Sequence, residues 1–133
     1  MAINGAPIDC INAAVIAYHV KPTLILSVIQ KEGGKNGQAV KNKDRTFDYG
    51  IMQINQRWLP KIAAYGYTKE DIQYDPCKNI LVGTWIIAMH LSKNIPPWVA
   101  IGNYHSKTPS LNKKYRDGVY ETYKKISMVI HDI

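Results

Sequence analysis

The chain has 133 residues, with 17 Lys and Arg against 10 Asp and Glu, a formal charge of +7 and 46% hydrophobic content. A chain of this size is expected to form one domain over residues 1–133, and its composition excludes intrinsic disorder, collagen-like repetition and a disulfide-dense miniprotein. The apolar stretches Ile80 to Val82 and Trp85 to Met89 fall far short of the ~20 residues that a membrane-spanning helix needs.

In chain order, Met1 to Asp9 carries neither the basic nor the apolar region of an export signal, so an exported protein of this sequence would be a processed form. Ile11, Ala14, Val15 and Tyr18 recur at spacings of three and four, which predicts an amphipathic helix over Cys10 to His19. Pro22 followed by Thr23, Leu24, Ile25, Leu26, Val28 and Ile29 predicts a buried helix with proline in its first turn, stopped by Gly33 and Gly34. That places Glu32 in the helix's last turn. Asn36 to Tyr49 turns polar and reads as a loop or a short irregular hairpin. Asn55 can cap a short helix toward Tyr65 that ends at Gly66. Asp75 and Pro76 open a long apolar helix to about Ser92, Pro96 and Pro97 open a short one through Gly102, and Leu111 to Val129 makes the last, with Tyr115, Val119, Tyr123 and Ile126 on one stripe. The expected fold is mostly α, with one small polar hairpin.

The surplus Lys and Arg cluster over Lys31 to Lys43, Lys107 to Arg116 and Lys124 to Lys125. Such charge attracts polyanions but does not choose among nucleic acid, acidic polysaccharide and membrane surface. No zinc-finger spacing, aromatic RNA-binding motif or clear helix-turn-helix accompanies it, so no nucleic-acid partner is expected. Cys10 and Cys77 fit either two buried thiols or one disulfide. GxSxG, HExxH, GxxxxGK and GxGxxG are all absent, and His19, His90, His105 and His131 share no ligand spacing, so neither cofactor nor metal is expected. Ser110 to Lys113 matches SxxK without the companion motifs of the much larger β-lactam-type fold.

What remains is a carboxyl group at a helix end. Partial burial there would raise the pKa of Glu32 and keep it protonated near neutral pH, as a general acid for a glycosidic oxygen requires. Taken alone, a solvated helix-end glutamate is the plainer reading. The segment Asp48-Tyr49-Gly50-Ile51-Met52-Gln53-Ile54-Asn55 changes that, because its polar and apolar residues do not alternate like a surface loop.

Glu32, an Asn-rich loop and then DYGIMQIN together resemble the lysozyme superfamily, specifically the soluble lytic transglycosylase domain, and also look like c-type lysozymes. The resemblance runs from Cys10 through Tyr120. Gly50, Ile51, Met52 and Gln53 match the family's G-L-M-Q pattern with Asn55 following, Tyr104 matches the tyrosine of its A-Y-N motif, and Cys77 matches the cysteine before its long helix. Gly33 stands where the family usually has serine, and His105 where it has asparagine.

The resemblance implies an α+β lysozyme-like fold whose hairpin lies beside an active-site cleft, and a disulfide between Cys10 and Cys77. It implies a peptidoglycan lytic transglycosylase of the kind that serves secretion, conjugation or pilus machines. Glu32 would protonate the β-1,4 bond between N-acetylmuramic acid and N-acetylglucosamine, then act as base toward the muramic 6-hydroxyl to give a 1,6-anhydro end. Asp48 reads either as a second carboxylate, nucleophile or electrostatic stabiliser, or as a residue that orders the hairpin; a retaining pair would need carboxyls about 5–5.5 Å apart. Gly50, Met52, Gln53, Asn55, Tyr104 and His105 are the candidate substrate contacts. Each has a plainer alternative: Met52 in the core, Gly50 admitting positive φ, Gln53 and Asn55 bonding the hairpin backbone, Tyr104 packing as an aromatic, His105 exposed. Trp58, Trp85 and Trp98 stack on sugars or fill the core. The implied setting is periplasmic or exported, as a monomer acting on glycan strands. A hydrolytic muramidase using Glu32 and Asp48, and a non-catalytic peptidoglycan-binding module, are the alternatives.

Overall fold

Apolar spacing and proline position put the helices where the core needs them, as the computed structural model, which describes residues 2–129, makes plain. Met1 and His131 lie outside the described residues. α1 spans Ile8–Tyr18 and ends at His19, whose φ of 55° and N–H bond to the Val15 carbonyl close the last turn. α2 spans Pro22–Glu32, with proline at its start and Thr23, Ile25, Leu26, Ser27, Val28 and Ile29 all buried. It stops at Gly33, a left-handed cap with φ 66° that an L side chain would strain.

The polar stretch after α2 folds into more than one hairpin. β3 (Ala39–Lys41), β4 (Phe47–Tyr49) and β5 (Ile54–Asn55) form an antiparallel sheet in that order, with Val40 opposite Asp48 and Asp48 opposite Asn55. β1 (Ala2–Ile3) and β2 (Ala6–Pro7) make a second, two-stranded ribbon ahead of α1. The Asn55 side chain accepts from the Arg57 N–H and caps a 3-10 turn over Gln56–Trp58, which runs into α3 (Leu59–Ala63) with Pro60 in its first turn.

α4 (Lys69–Tyr74) is not anticipated by the apolar spacing, because six residues are too few to show a period. Its signal is local: the Thr68 hydroxyl accepts from the Asp71 N–H while the Asp71 carboxylate accepts from the Thr68 N–H. α5 (Pro76–Leu91) begins as expected, with the Asp75 carboxylate accepting from the Lys78 N–H. α6 (Pro97–Gly102) and α7 (Pro109–Ser127) follow.

α1 packs against α5 and α2 against α7, around a core rich in isoleucine: Ile25, Ile29, Ile51, Ile54, Ile80 and Ile86 are all nearly fully buried. Cys10 of α1 and Cys77 of α5 are joined by a disulfide. A cross-link closing a loop this long stabilises by about 4 kcal/mol in the chain-entropy picture. Among the described residues, no helix is long and apolar enough to cross a membrane.

Candidate active site

Asn79 explains how the motif segment is held. This buried side chain on α5 accepts from the Met52 N–H through Oδ1, and its amide donates to the carbonyls of Tyr49 and Ile72. The tight turn between β4 and β5 is thereby fastened to the helical layer. Gly50 sits in that turn with φ 69°, and a Cβ there would come within 2.3 Å of Asn79 Nδ2 and 2.6 Å of the Ile72 carbonyl oxygen. Gly34 is needed for the opposite approach: its Cβ would fall 2.1 Å from the Gly50 carbonyl oxygen. The two glycines after Glu32 thus have separate physical reasons, one to end the helix and one to let the chain pass against the turn.

The packing leaves a cleft of about 250 Å3 between the sheet and the helical layer. Glu32, Asp48, Gln53, Asn55, Tyr104 and His105 all line it, together with Asp44, Arg57 and Trp58. Glu32 is half-buried, and its Oε2 accepts a 2.6 Å hydrogen bond from the Tyr115 hydroxyl on α7. Burial disfavours its carboxylate and, opposed by the Tyr115 hydrogen bond and helped by the Asp48 charge, raises its pKa to about 7. Glu32 therefore keeps its proton to a higher pH than an ordinary glutamate does.

Tyr115 was not among the candidates. It is 5% exposed, and burial together with the Glu32 charge pushes its phenol well above the ordinary range, so it stays protonated and can donate to Glu32. The one signal in the sequence is a tyrosine on the buried stripe of a helix, since a buried phenol has to find a hydrogen-bond partner. His105 stacks on its ring with centroids 5.0 Å apart, and Tyr104 lies 6.5 Å away in near-parallel orientation. The Tyr104 hydroxyl donates to the Met52 carbonyl at 2.8 Å, so this ring ties the motif turn to the turn after α6.

Asp48 occupies the opposite wall, on β4. Its Oδ1 accepts from the Asn55 amide at 2.9 Å, and that amide also donates to the Thr46 hydroxyl at 3.0 Å. Gln53, at φ 53°, donates to the Gly50 carbonyl while facing the cleft. Two candidates fall elsewhere. The Met52 side chain is fully buried and packs against Gly83, and Gly50 is buried against Asn79; neither is among the residues that line the cleft. Trp85 packs on Trp58, and Trp98 on Tyr120 and Tyr123; of the three tryptophans only Trp58 reaches the cleft wall. Among the described residues, no group of three or more His, Cys, Asp or Glu is placed to hold a metal ion.

The chain is similar in sequence to several known proteins. The chain is 32% identical over 131 residues to a peptidoglycan-binding-like protein of Escherichia coli O157:H7, covering 89% of this chain and 78% of that one. It is 28% identical over 131 residues to invasion protein IagB of Salmonella typhimurium, covering 95% and 82%, and 29% identical over 124 residues to protein IpgF of Shigella flexneri, covering 90% and 82%. The family model of the transglycosylase SLT domain matches residues 9–126, nearly the span over which the sequence resembles that family, and the chain belongs to it.

Proposed function

We propose that this chain is a single-domain peptidoglycan lytic transglycosylase in which Glu32 is both acid and base. The neutral carboxyl donates its proton to the oxygen linking C1 of N-acetylmuramic acid to N-acetylglucosamine, and that bond breaks as positive charge develops at C1. The carboxylate then takes the proton of the muramic 6-hydroxyl while that oxygen bonds to C1, closing a 1,6-anhydro ring and restoring the acid. No water is consumed. The observation that carries this reading is the partly sheltered Glu32 carboxyl, titrating near 7 with Tyr115 on its Oε2 and one face open to the cleft. A group with that pKa is suited to give and take one proton at neutral pH.

Tyr115 fixes the carboxyl's orientation and strengthens its hold on negative charge after the first transfer. Gln53, Asn55, Tyr104 and His105 then form the walls against which the sugars are positioned. The site would work in the periplasm or outside the cell, cutting the wall locally for a transenvelope apparatus. The word invasion in the name of the Salmonella relative supports that setting.

A second reading, hydrolysis with Asp48 as partner, is favoured by one observation: Asp48 shares the cleft and its charge acts on Glu32. Muropeptide analysis of digested sacculi separates the readings, because a hydrolysed end is heavier than an anhydro end by one water. Anhydro ends from wild type and none from Glu32→Gln are expected. Reducing ends would favour the muramidase. Undiminished digestion by Glu32→Gln would mean that another group supplies the proton, and no digestion by wild type would leave a peptidoglycan-binding module.

A further inference from the structure

Beside the Glu32 cleft lies a second pocket, of about 430 Å3, which shares Arg57, Trp58, His105 and Ser106 with it. Lys61, Lys93 and Lys107 add three more cations from α3, the end of α5 and the loop after α6, and no carboxylate lines this pocket. Arg57 and Lys61 lie 5.9 and 5.2 Å from the centre of the Trp58 ring, so both charges are held beside it. His90, 6% exposed, also borders it, and its Nε2 has no hydrogen-bond partner. Burial first, then the charges of Lys107, Lys93 and Arg57, push the His90 pKa down.

We propose that this pocket is a subsite for the carboxylate-bearing peptide branch of the wall glycan, which enters across the Arg57 and Ser106 rim while the sugars lie along Glu32. The inference rests on the reading of the cleft as a glycan site. A ligand that fills both spaces has to be a chain of uncharged sugars with an anionic side branch, and the lactyl peptide of N-acetylmuramic acid has that form. The charge pattern sorts the two parts: Asp44 and Asp48 in the cleft repel peptide carboxylates, and the adjoining pocket attracts them. Wall glycan bearing peptides is then the preferred substrate, ahead of stripped strands.

The test uses two soluble ligands that lack the scissile bond, the N-acetylglucosaminyl-N-acetylmuramic disaccharide with its tetrapeptide and the same disaccharide without it. Calorimetric titration is expected to show the wild-type chain binding the peptide-bearing form about tenfold more tightly, the sum of three or four partly exposed ion pairs. The preference should vanish in Lys61→Gln/Lys93→Gln/Lys107→Gln, whose three sites are all exposed, and shrink at high salt. Equal affinities in wild type, or a preference that survives the triple substitution, overturn the proposal. Parallel digestion of intact and amidase-stripped sacculi keeps the two readings apart. Digestion of both at one rate sinks the subsite alone, whereas no digestion with an intact binding preference sinks the catalytic reading alone.

Discussion

Two of the carboxylates that line the cleft, Glu32 and Asp48, are treated differently by the elements behind them. Glu32 ends a helix that is buried from Ile25 to Ile29, and its carboxyl is partly sheltered with the Tyr115 phenol as donor. Asp48 stands in mid-strand on the thin sheet, with a side-chain amide from the paired position on β5. The same functional group is thus desolvated on one wall and tethered to polar neighbours on the other. On the proposed reading, the sheltered wall is the one that supplies the general acid.

The most severe break of this asymmetry is Glu32→Gln. The amide can still accept from Tyr115 but has no proton to give, and glycan cleavage should fall by about a thousandfold, within the range general acid–base catalysis contributes. Release of soluble muropeptides from sacculi measures it, with the thermal midpoint at acid pH as the control for folding. A rate within tenfold of wild type would mean that the proton comes from elsewhere.

Next in size is the effect of that carboxyl on stability. Its pKa is about 7 in the folded chain against an ordinary value of 4.5, so between those values the folded state holds a proton that the unfolded state has released. The Glu32 contribution is therefore fully present below pH ~4.5 and is lost as pH rises to ~7, an effect of about 1–3 kcal/mol once partial solvent access is allowed for. Denaturation across that pH range should show wild type weakening relative to Glu32→Gln. Parallel curves for the two chains would show that Glu32 is not desolvated.

How much of this asymmetry is legible in the sequence depends on how far apart the partners lie. Pro22, the apolar run and the two glycines place Glu32 at a helix end within a dozen residues, and proline with an acidic cap does the same for the start of α5. The DYGIMQIN segment announces a site, but its residues do not divide themselves into turn, core and cleft. That division is made by Asn79, Gly83 and Ile72, which lie beyond the segment and turn Gly50 and Met52 inward. Tyr115 meets Glu32 across 83 positions, a pairing that the period of α7 does not reveal. The basic pocket likewise collects α3, α5 and the loop after α6, so no local run of charge marks it.

Tyr115→Phe sharpens the comparison from the Glu32 side. Its hydroxyl favours the carboxylate, so removing it should raise the Glu32 pKa and carry the alkaline limb of the pH–rate profile upward. The rate at the optimum should drop by about tenfold, because the loss of one charge-assisted hydrogen bond loosens the carboxyl. An unmoved limb would show that the limb does not report Glu32.

Asp48→Asn gives the smallest change, and its direction is the informative part. The Asp48 charge helps keep the Glu32 proton in place, so neutralising it should lower the Glu32 pKa and shift the alkaline limb downward, opposite to Tyr115→Phe. In a transglycosylase the 6-hydroxyl is the nucleophile, so the rate should fall only a few-fold, within about 1 kcal/mol, and the ends should remain anhydro. The product spectrum and the pH profile of this one variant answer separate questions. A thousandfold loss would make Asp48 a participant in bond breaking, and the unlike environments of the two acids would then describe a lysozyme-type pair. A few-fold loss with the limb displaced downward would leave Asp48 acting at a distance, as a charge on the far wall that poises Glu32.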